Sequence, residues 1–268
     1  MITWGQFIYF AIVAVLLWAW GAWGAWKDRA GVACLTTGLG LLVFFGFILS
    51  LWVSLERPPL RTMGETRLWY SFFLPLVGVI VYSRWKYKWI LSFSTILALV
   101  FICVNLFKPE IHSKTLMPAL QSPWFAPHVI VYMFAYAVFG VVTLMALWML
   151  IKSRAEADFS LFAFHSSLSS LDDLVYVGLS FMTIGMLFGA LWAKEAWGHY
   201  WSWDPKETWA AITWLAYLVY VHYRQLPTHQ PRLALWVLVI AFVLLQMCWW
   251  GINYLPSAQG SSVHVYSM

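Results

Sequence analysis

The chain has 268 residues, 62% of them hydrophobic and only 10% charged, too little polar side chain to clothe a water-soluble globule. Its net charge of +5 comes from 16 Lys and Arg set against 11 Asp and Glu, scattered through loops without the basic runs that track a nucleic-acid backbone, so no nucleic-acid partner is expected. Cys34, Cys103 and Cys248 stand apart, with neither a CxxC pair nor a CxxCH haem-attachment motif, which excludes a thiol oxidoreductase and a c-type cytochrome.

Apolar stretches of about 20 residues match the hydrocarbon core of a bilayer, where helices are the default because an open sheet leaves backbone groups unsatisfied in lipid. The expected fold is all-α, a polytopic integral membrane protein forming a single domain over residues 1–268, with membrane lipid as its solvent. The chain opens MITWGQFIYF, without a charged n-region or a small-residue cleavage site, so the first stretch is expected to be retained as a span. Eight spans are predicted in order: Phe7 to Trp26, Gly31 to Leu55, Leu68 to Ser83, Trp89 to Phe107, His128 to Ile151, Leu174 to Ala193, Pro205 to Tyr223 and Leu233 to Gly251.

The loops with Lys27 and Arg29, with Arg84, Lys86 and Lys88, with Lys152 and Arg154, and with Arg224 and Arg232 are short and basic. By the positive-inside rule they face the cytoplasm. The opposite loops hold nearly as many bases, offset by Glu56, Glu65, Glu110, Glu195, Asp204 and Glu207. That topology turns three segments outward, Arg57 to Arg67, Lys108 to Pro127 and a Trp-rich loop near Gly198, together with both termini. Between the fifth and sixth spans, Ala155 to Asp173 carries Phe159, Phe162, Phe164 and Leu168 at near-helical spacing, which predicts a surface helix on the cytoplasmic face.

The segment LWAKEAWGHYWSWDPKETWAAITW gathers Trp192, Trp197, Trp201, Trp203, Trp209 and Trp214. An interfacial aromatic belt accounts for Trp192 and Trp214, but not for WGHYWSWDP. Gly198 permits a tight turn, and Asp204, Pro205 and Glu207 form a helix start, with Asp as N-cap, Pro at the first position and Glu at the third. An aromatic shelf of this kind, with Tyr200 and indole N–H groups as donors, suits a planar amphipathic ligand.

WGHYWSWDPKETWA resembles the haem-handling proteins with a Trp-rich WWD domain, which comprise the CcsA, CcmC and CcmF types, and the KET after the DP fits the CcsA (ResC) type. The resemblance extends through KTLMPALQSPWFAPH and NYLPSAQGSSVHVY, and more loosely through RPPLRTMGETRLWYSF. It implies a subunit of a CcsB–CcsA haem lyase (holocytochrome c synthase) of the system II kind, in the bacterial inner membrane or a thylakoid equivalent. Such a subunit moves haem across the membrane and presents it for ligation to apocytochrome c carrying CxxCH. The haem would be haem b, held non-covalently as a substrate in transit on a loop at residues 192–209, with Trp197, Gly198, Tyr200, Trp201, Trp203, Asp204 and Trp209 as binding residues.

Haem iron takes imidazole as its commonest protein ligand. In the resembled family two external histidines flank the Trp-rich motif, and the matching positions are His128 and His264, the latter in an HVY context where the usual pattern is closer to HSY. His222, 17 residues after Pro205 and so about 25 Å along a helix, matches the family's membrane histidine, an ionisable group of the kind that marks function at such depth. The resemblance implies that its partner ligand comes from a CcsB (ResB)-like protein. His112, His165, His199 and His229 need no special role. Haem propionates want cations, and Arg57, Arg61 and Lys206 are candidates by side and charge. The competing readings are a b-type cytochrome subunit, which needs an axial pair inside the bundle; a secondary transporter, which tends to show paired halves and broken helices; and a CcmC-like haem exporter delivering to a chaperone.

Overall fold

The computed structural model describes residues 2–108, 122–155 and 161–255. Among these residues the regular structure is entirely helical. The eight α-helices are α1 Phe7–Trp26, α2 Ala30–Leu55, α3 Met63–Trp85, α4 Lys88–Phe107, α5 Phe125–Ala155, α6 Leu161–Trp197, α7 Pro205–Gln225 and α8 Pro231–Trp249. All but α7 are long and apolar enough to cross a membrane; α7 is of similar length but carries Lys206, Glu207, His222 and Arg224. The chain is an all-helical polytopic membrane protein.

The helices form two compact units, one containing α1 to α4 and the other α5 to α8. In the first, α1 packs on α2 and α4, and α3 packs on the same two, closing a four-helix ring. Small residues bring α1 and α2 together: a methyl group on Gly21 would lie 2.2 Å from Thr37 Oγ1, and one on Gly40 would lie 2.6 Å from Trp18 Nε1. Such close approach is how helices adhere in lipid, where burial of apolar area gives no advantage.

The α2–α3 loop is tied to the start of α3. Glu65 accepts two hydrogen bonds from the Arg57 guanidinium, at 3.0 and 2.9 Å, and others from the backbone N–H of Arg61 at 2.6 Å and of Thr62 at 3.2 Å. Thr62 returns the bond by accepting from Glu65 N, a capping box that starts α3 at Met63. Trp69 Nε1 donates to the Pro59 carbonyl and Asn105 Nδ2 to that of Gly64, fixing the loop against α3 and α4.

In the second unit α5 contacts α6 and α8, and α7 contacts the same two. The α5–α6 pair is antiparallel with a register set by glycine. A methyl on Gly178 would lie 2.7 Å from the Phe139 ring, one on Gly185 2.9 Å from Tyr132, and one on Gly189 2.8 Å from His128. Reading down α5 and up α6, the rings and the glycines follow one spacing, seven residues and then four. At the far end of this unit Asp172 accepts from Tyr220 Oη at 2.7 Å and from Arg224 Nε and Nη2 at 3.0 and 2.6 Å. Arg224 also donates to His229, whose Nδ1 donates to the Leu226 carbonyl at 2.7 Å.

The predicted spans coincide with the helices, with two informative differences. The third begins at Met63 instead of Leu68, because the Thr62–Glu65 capping box nucleates it ahead of the apolar run. The cytoplasmic surface helix expected over Ala155 to Asp173 is not a separate element: α6 starts at Leu161 and runs unbroken to Trp197. Leu168, Ser170 and Leu171 are buried, so these turns pack with the protein. At 37 residues α6 is about 55 Å long, well beyond the ~30 Å hydrocarbon core.

Candidate functional site

The second unit contains a cleft lined by α5, α6, the loop after α6, and the ends of α7 and α8. Its wall includes His128, Tyr132 and Tyr136 from α5, Gly189 and Trp192 from α6, Tyr200 and Trp201 from the loop, Lys206 and Glu207 from α7, and Cys248 and Trp249 from α8. Its cavity volume is about 120 Å³, and its mouth opens to solvent.

His128 stands on the first turn of α5. Its Nδ1 lies 2.8 Å from the Gly185 carbonyl, and because a carbonyl only accepts, the proton is on Nδ1 and the lone pair of the neutral ring is on Nε2. Metal-ligating histidines are held in this way, the second ring nitrogen donating to a carbonyl or carboxylate. The ring packs over Gly189, tilts 34° to Trp192 at 5.6 Å and meets Tyr132 edge-on at 4.7 Å. Tyr132 meets Tyr136, and Tyr136 meets Trp249. The cleft is thus walled by rings one helical turn apart on α5.

The loop between α6 and α7 is ordered by charge and backbone. Gly198, at φ +85°, turns the chain out of α6 in a conformation open to glycine. Lys194 Nζ donates to the Gly198 carbonyl at 2.8 Å and lies over the Tyr200 ring at 5.4 Å. Glu207 Oε2 accepts from Ser202 N at 2.8 Å, Ser202 Oγ at 3.3 Å and Asp204 N at 3.1 Å, while Asp204 Oδ1 accepts from Lys206 N at 2.8 Å. Both acids are buried, and they serve as the α7 N-cap pair expected from DPKE. Trp203, between the anchored Ser202 and Asp204, is held at φ +59°, an outlying conformation for so bulky a side chain. It is 70% exposed and meets Trp201 edge-on at 5.8 Å.

Of the residues singled out in the sequence, His128, Tyr200 and Trp201 line the cleft. Trp197 stacks obliquely on the lining residue Trp192 at 4.9 Å. Gly198, Trp203 and Asp204 shape the loop, whereas Trp209 is on α7 outside the cleft lining. His222 is not brought to this cleft. It is exposed on α7, in a stripe with Ile212, Leu215, Val219 and Leu226. His264 and His112 lie outside the described residues. Arg57 is engaged by Glu65 in the first unit. Tyr132, Tyr136, Cys248 and Trp249 were not singled out. Their signal was available in part, since Tyr132 and Tyr136 follow His128 at helical spacing. Among the described residues no group of three or more His, Cys, Asp or Glu side chains gathers as a metal cage, so an iron in this cleft would be met by one described imidazole.

Residues 62–258 match the family described as cytochrome c assembly protein. Among curated relatives, cytochrome c biogenesis protein CcsA of Oryza sativa is 32% identical over 265 aligned residues, covering 82% of this chain and 81% of the relative. The protein of the same name from Zea mays is 32% identical over 264 residues with the same coverage. That of Marchantia polymorpha is 28% identical over 313 residues, spanning 99% of this chain and 92% of the relative.

Proposed function

Because the chain belongs to the cytochrome c assembly family as a CcsA-type protein with a role in cytochrome c biogenesis, we propose that its α5–α8 cleft presents haem to apocytochrome c. The observation that carries this reading is the hydrogen bond from His128 Nδ1 to the Gly185 carbonyl, which orients Nε2 as a ligand within a wall of aromatic rings. Planar rings at the rim, the exposed Tyr200 and Trp203, suit a porphyrin face. His264 supplies the second axial position, leaving no open iron site for oxygen.

Haem is the substrate here and the apocytochrome its acceptor. Each cysteine thiol of the incoming CxxCH adds across a vinyl double bond; sulfur bonds to one carbon and the thiol proton ends on the other, so neither an oxidant nor a leaving group is needed. The chain's own residues bind and orient the haem. The loop and both termini face the extracytoplasmic side of a bacterial inner membrane or its thylakoid equivalent.

His222 belongs to a second, membrane site. An imidazole on an exposed apolar stripe of α7 suits a ligand shared with another polypeptide, and a CcsB-like partner would supply the opposing histidine. Haem then passes from the His222 site to the His128 cleft.

The test is an anaerobic reduced absorption spectrum of the detergent-purified chain, with and without a CcsB-like partner. A bis-imidazole haem spectrum that strengthens with the partner and is altered by His128→Ala is expected. No haem in any preparation, or a wild-type spectrum in His128→Ala, would overturn the reading.

A further inference from the structure

In the first unit the links between α1 and α2 and between α3 and α4 are short, running from Trp26 to Ala30 and from Trp85 to Lys88. They meet at one end of the bundle. Lys88 Nζ pairs with Asp28 at 2.6 Å, Trp26 Nε1 donates to Ser92 Oγ at 2.9 Å, and Ala25, Ala33, Tyr82 and Leu91 pack together in the core of the same helices. The joined links hold Lys27, Arg29, Arg84, Lys86 and Lys88 against one acid, Asp28, whose partner is Lys88. The other four cations are exposed.

Three of those four lie over aromatic rings, Arg29 over Trp23 at 5.9 Å, Arg84 over Trp85 at 5.6 Å and Lys86 over Tyr82 at 5.4 Å. Trp and Tyr collect at the membrane interface, so a cation held against such a ring sits at the depth of lipid headgroups. The starts of α2 and α4 add positive partial charge to the same patch, and neither has a side-chain cap or an acid in its first turn. By contrast, α3 and α7 begin on the carboxylates of Glu65 and Glu207. In the second unit the loop cations are engaged internally, Arg224 by Asp172 and Arg232 by the Ser153 carbonyl.

We propose that the joined links of the first unit form a docking surface for the phosphate headgroup of an anionic phospholipid such as phosphatidylglycerol. The phosphate meets the four cations and the two helix starts, while the acyl chains lie along the exposed face of α1 with Leu16, Trp20 and Trp23. An acidic protein segment would match the charge alone; the rings beside the cations and the apolar face below them match a lipid. The positive-inside rule turns this end to the cytoplasm, where the leaflet carries a negative surface potential.

The full chain is reconstituted in phosphatidylcholine bilayers with a trace of spin-labelled phosphatidylglycerol, or of spin-labelled phosphatidylcholine with the same acyl chains. The motionally restricted part of the spectrum gives the relative affinity for the two lipids. Wild type is expected to favour phosphatidylglycerol about ten-fold, the scale of one or two surface cations acting on a headgroup. Lys27→Gln with Arg29→Gln, and separately Arg84→Gln with Lys86→Gln, each lower the preference to about two-fold or less. Asp28→Asn raises it, since the acid is lost while the residue still suits the φ of +58° held there. Lys152→Gln with Arg232→Gln, which removes as much charge from the second unit, leaves the preference unchanged. Equal affinity of wild type for the two lipids overturns the docking surface, as does an equal loss in the second-unit variant, which would mean general charge attraction. Loss of the preference on adding inorganic phosphate, but not sodium chloride of the same ionic strength, overturns it in favour of a soluble phosphate site.

Discussion

The Nδ1 of His128 donates to the carbonyl of Gly185, a residue one helical turn before Gly189, which leaves room for the same imidazole. One glycine therefore fixes the tautomer and a second fixes the ring's position.

Gly189→Ala should leave the protein inserted but displace the ring, because the added methyl would lie 2.8 Å from both Cε1 and Nδ1 of His128. Overpacking of this kind costs about 1–3 kcal/mol. Here the expected readout is a shifted haem spectrum and at least a several-fold loss of haem affinity. An unchanged spectrum in a well-folded variant would show that His128 is not a ligand or that α6 yields.

His128→Gly removes the proposed ligand and opens a hole of imidazole size beside Gly189. Millimolar imidazole should restore a low-spin spectrum to the purified protein, whereas His199→Gly, altered at an exposed loop position, should need no rescue. Failure of imidazole to change the His128→Gly spectrum would count against axial ligation.

Trp203→Gly separates stability from binding. Trp203 pays for its place with a φ of +59°, a strain of about 1–3 kcal/mol, part of which the more flexible glycine would return to the unfolded chain. The expectation is a melting temperature equal to or above wild type, with haem affinity reduced several-fold by loss of a stacking face. A fall in melting temperature would mean that the indole's contacts outweigh the backbone strain.

Glu65→Gln should destabilise the first unit by about 3–5 kcal/mol, because it leaves the largely buried Arg57 guanidinium without its charge partner. Lys88→Met, which breaks the more exposed pair with Asp28, should cost about 1 kcal/mol or less. Thermal unfolding in detergent compares the two, and equal effects would refute the ranking.

The helices were legible because lipid imposes one requirement on every span, a run of apolar residues, and that requirement is local. Helix starts were legible where the cap is local too: DPKE announced α7, and Thr62 with Glu65 carried the same kind of signal for α3. The beginning of α6 was misread, since polar residues that pack at one end of a bundle alternate like those of a surface helix. His128 could be named from its type and place, but the groups packed around it could not. Gly185 and Gly189 lie on α6, Lys206 on α7 and Cys248 on α8, and their meeting depends on a register between helices. That register left one trace, the matched spacing of Phe139, Tyr132 and His128 with Gly178, Gly185 and Gly189. His222 showed the converse: depth along α7 is read from residue count, but the side of the helix that faces outward becomes known only when its neighbours are in place.

The matched spacing along α5 and α6 also limits how the chain can change in length. One residue inserted between His128 and Phe139 would rotate every ring beyond it by about 100° and carry it off its glycine. A compensating insertion in α6 would have to fall at the same level of the bundle. Insertions and deletions are therefore admissible in the segments joining these helices and excluded from the stretch where ring meets glycine, which makes the separation between His128 and Phe139 as constrained as the residues themselves.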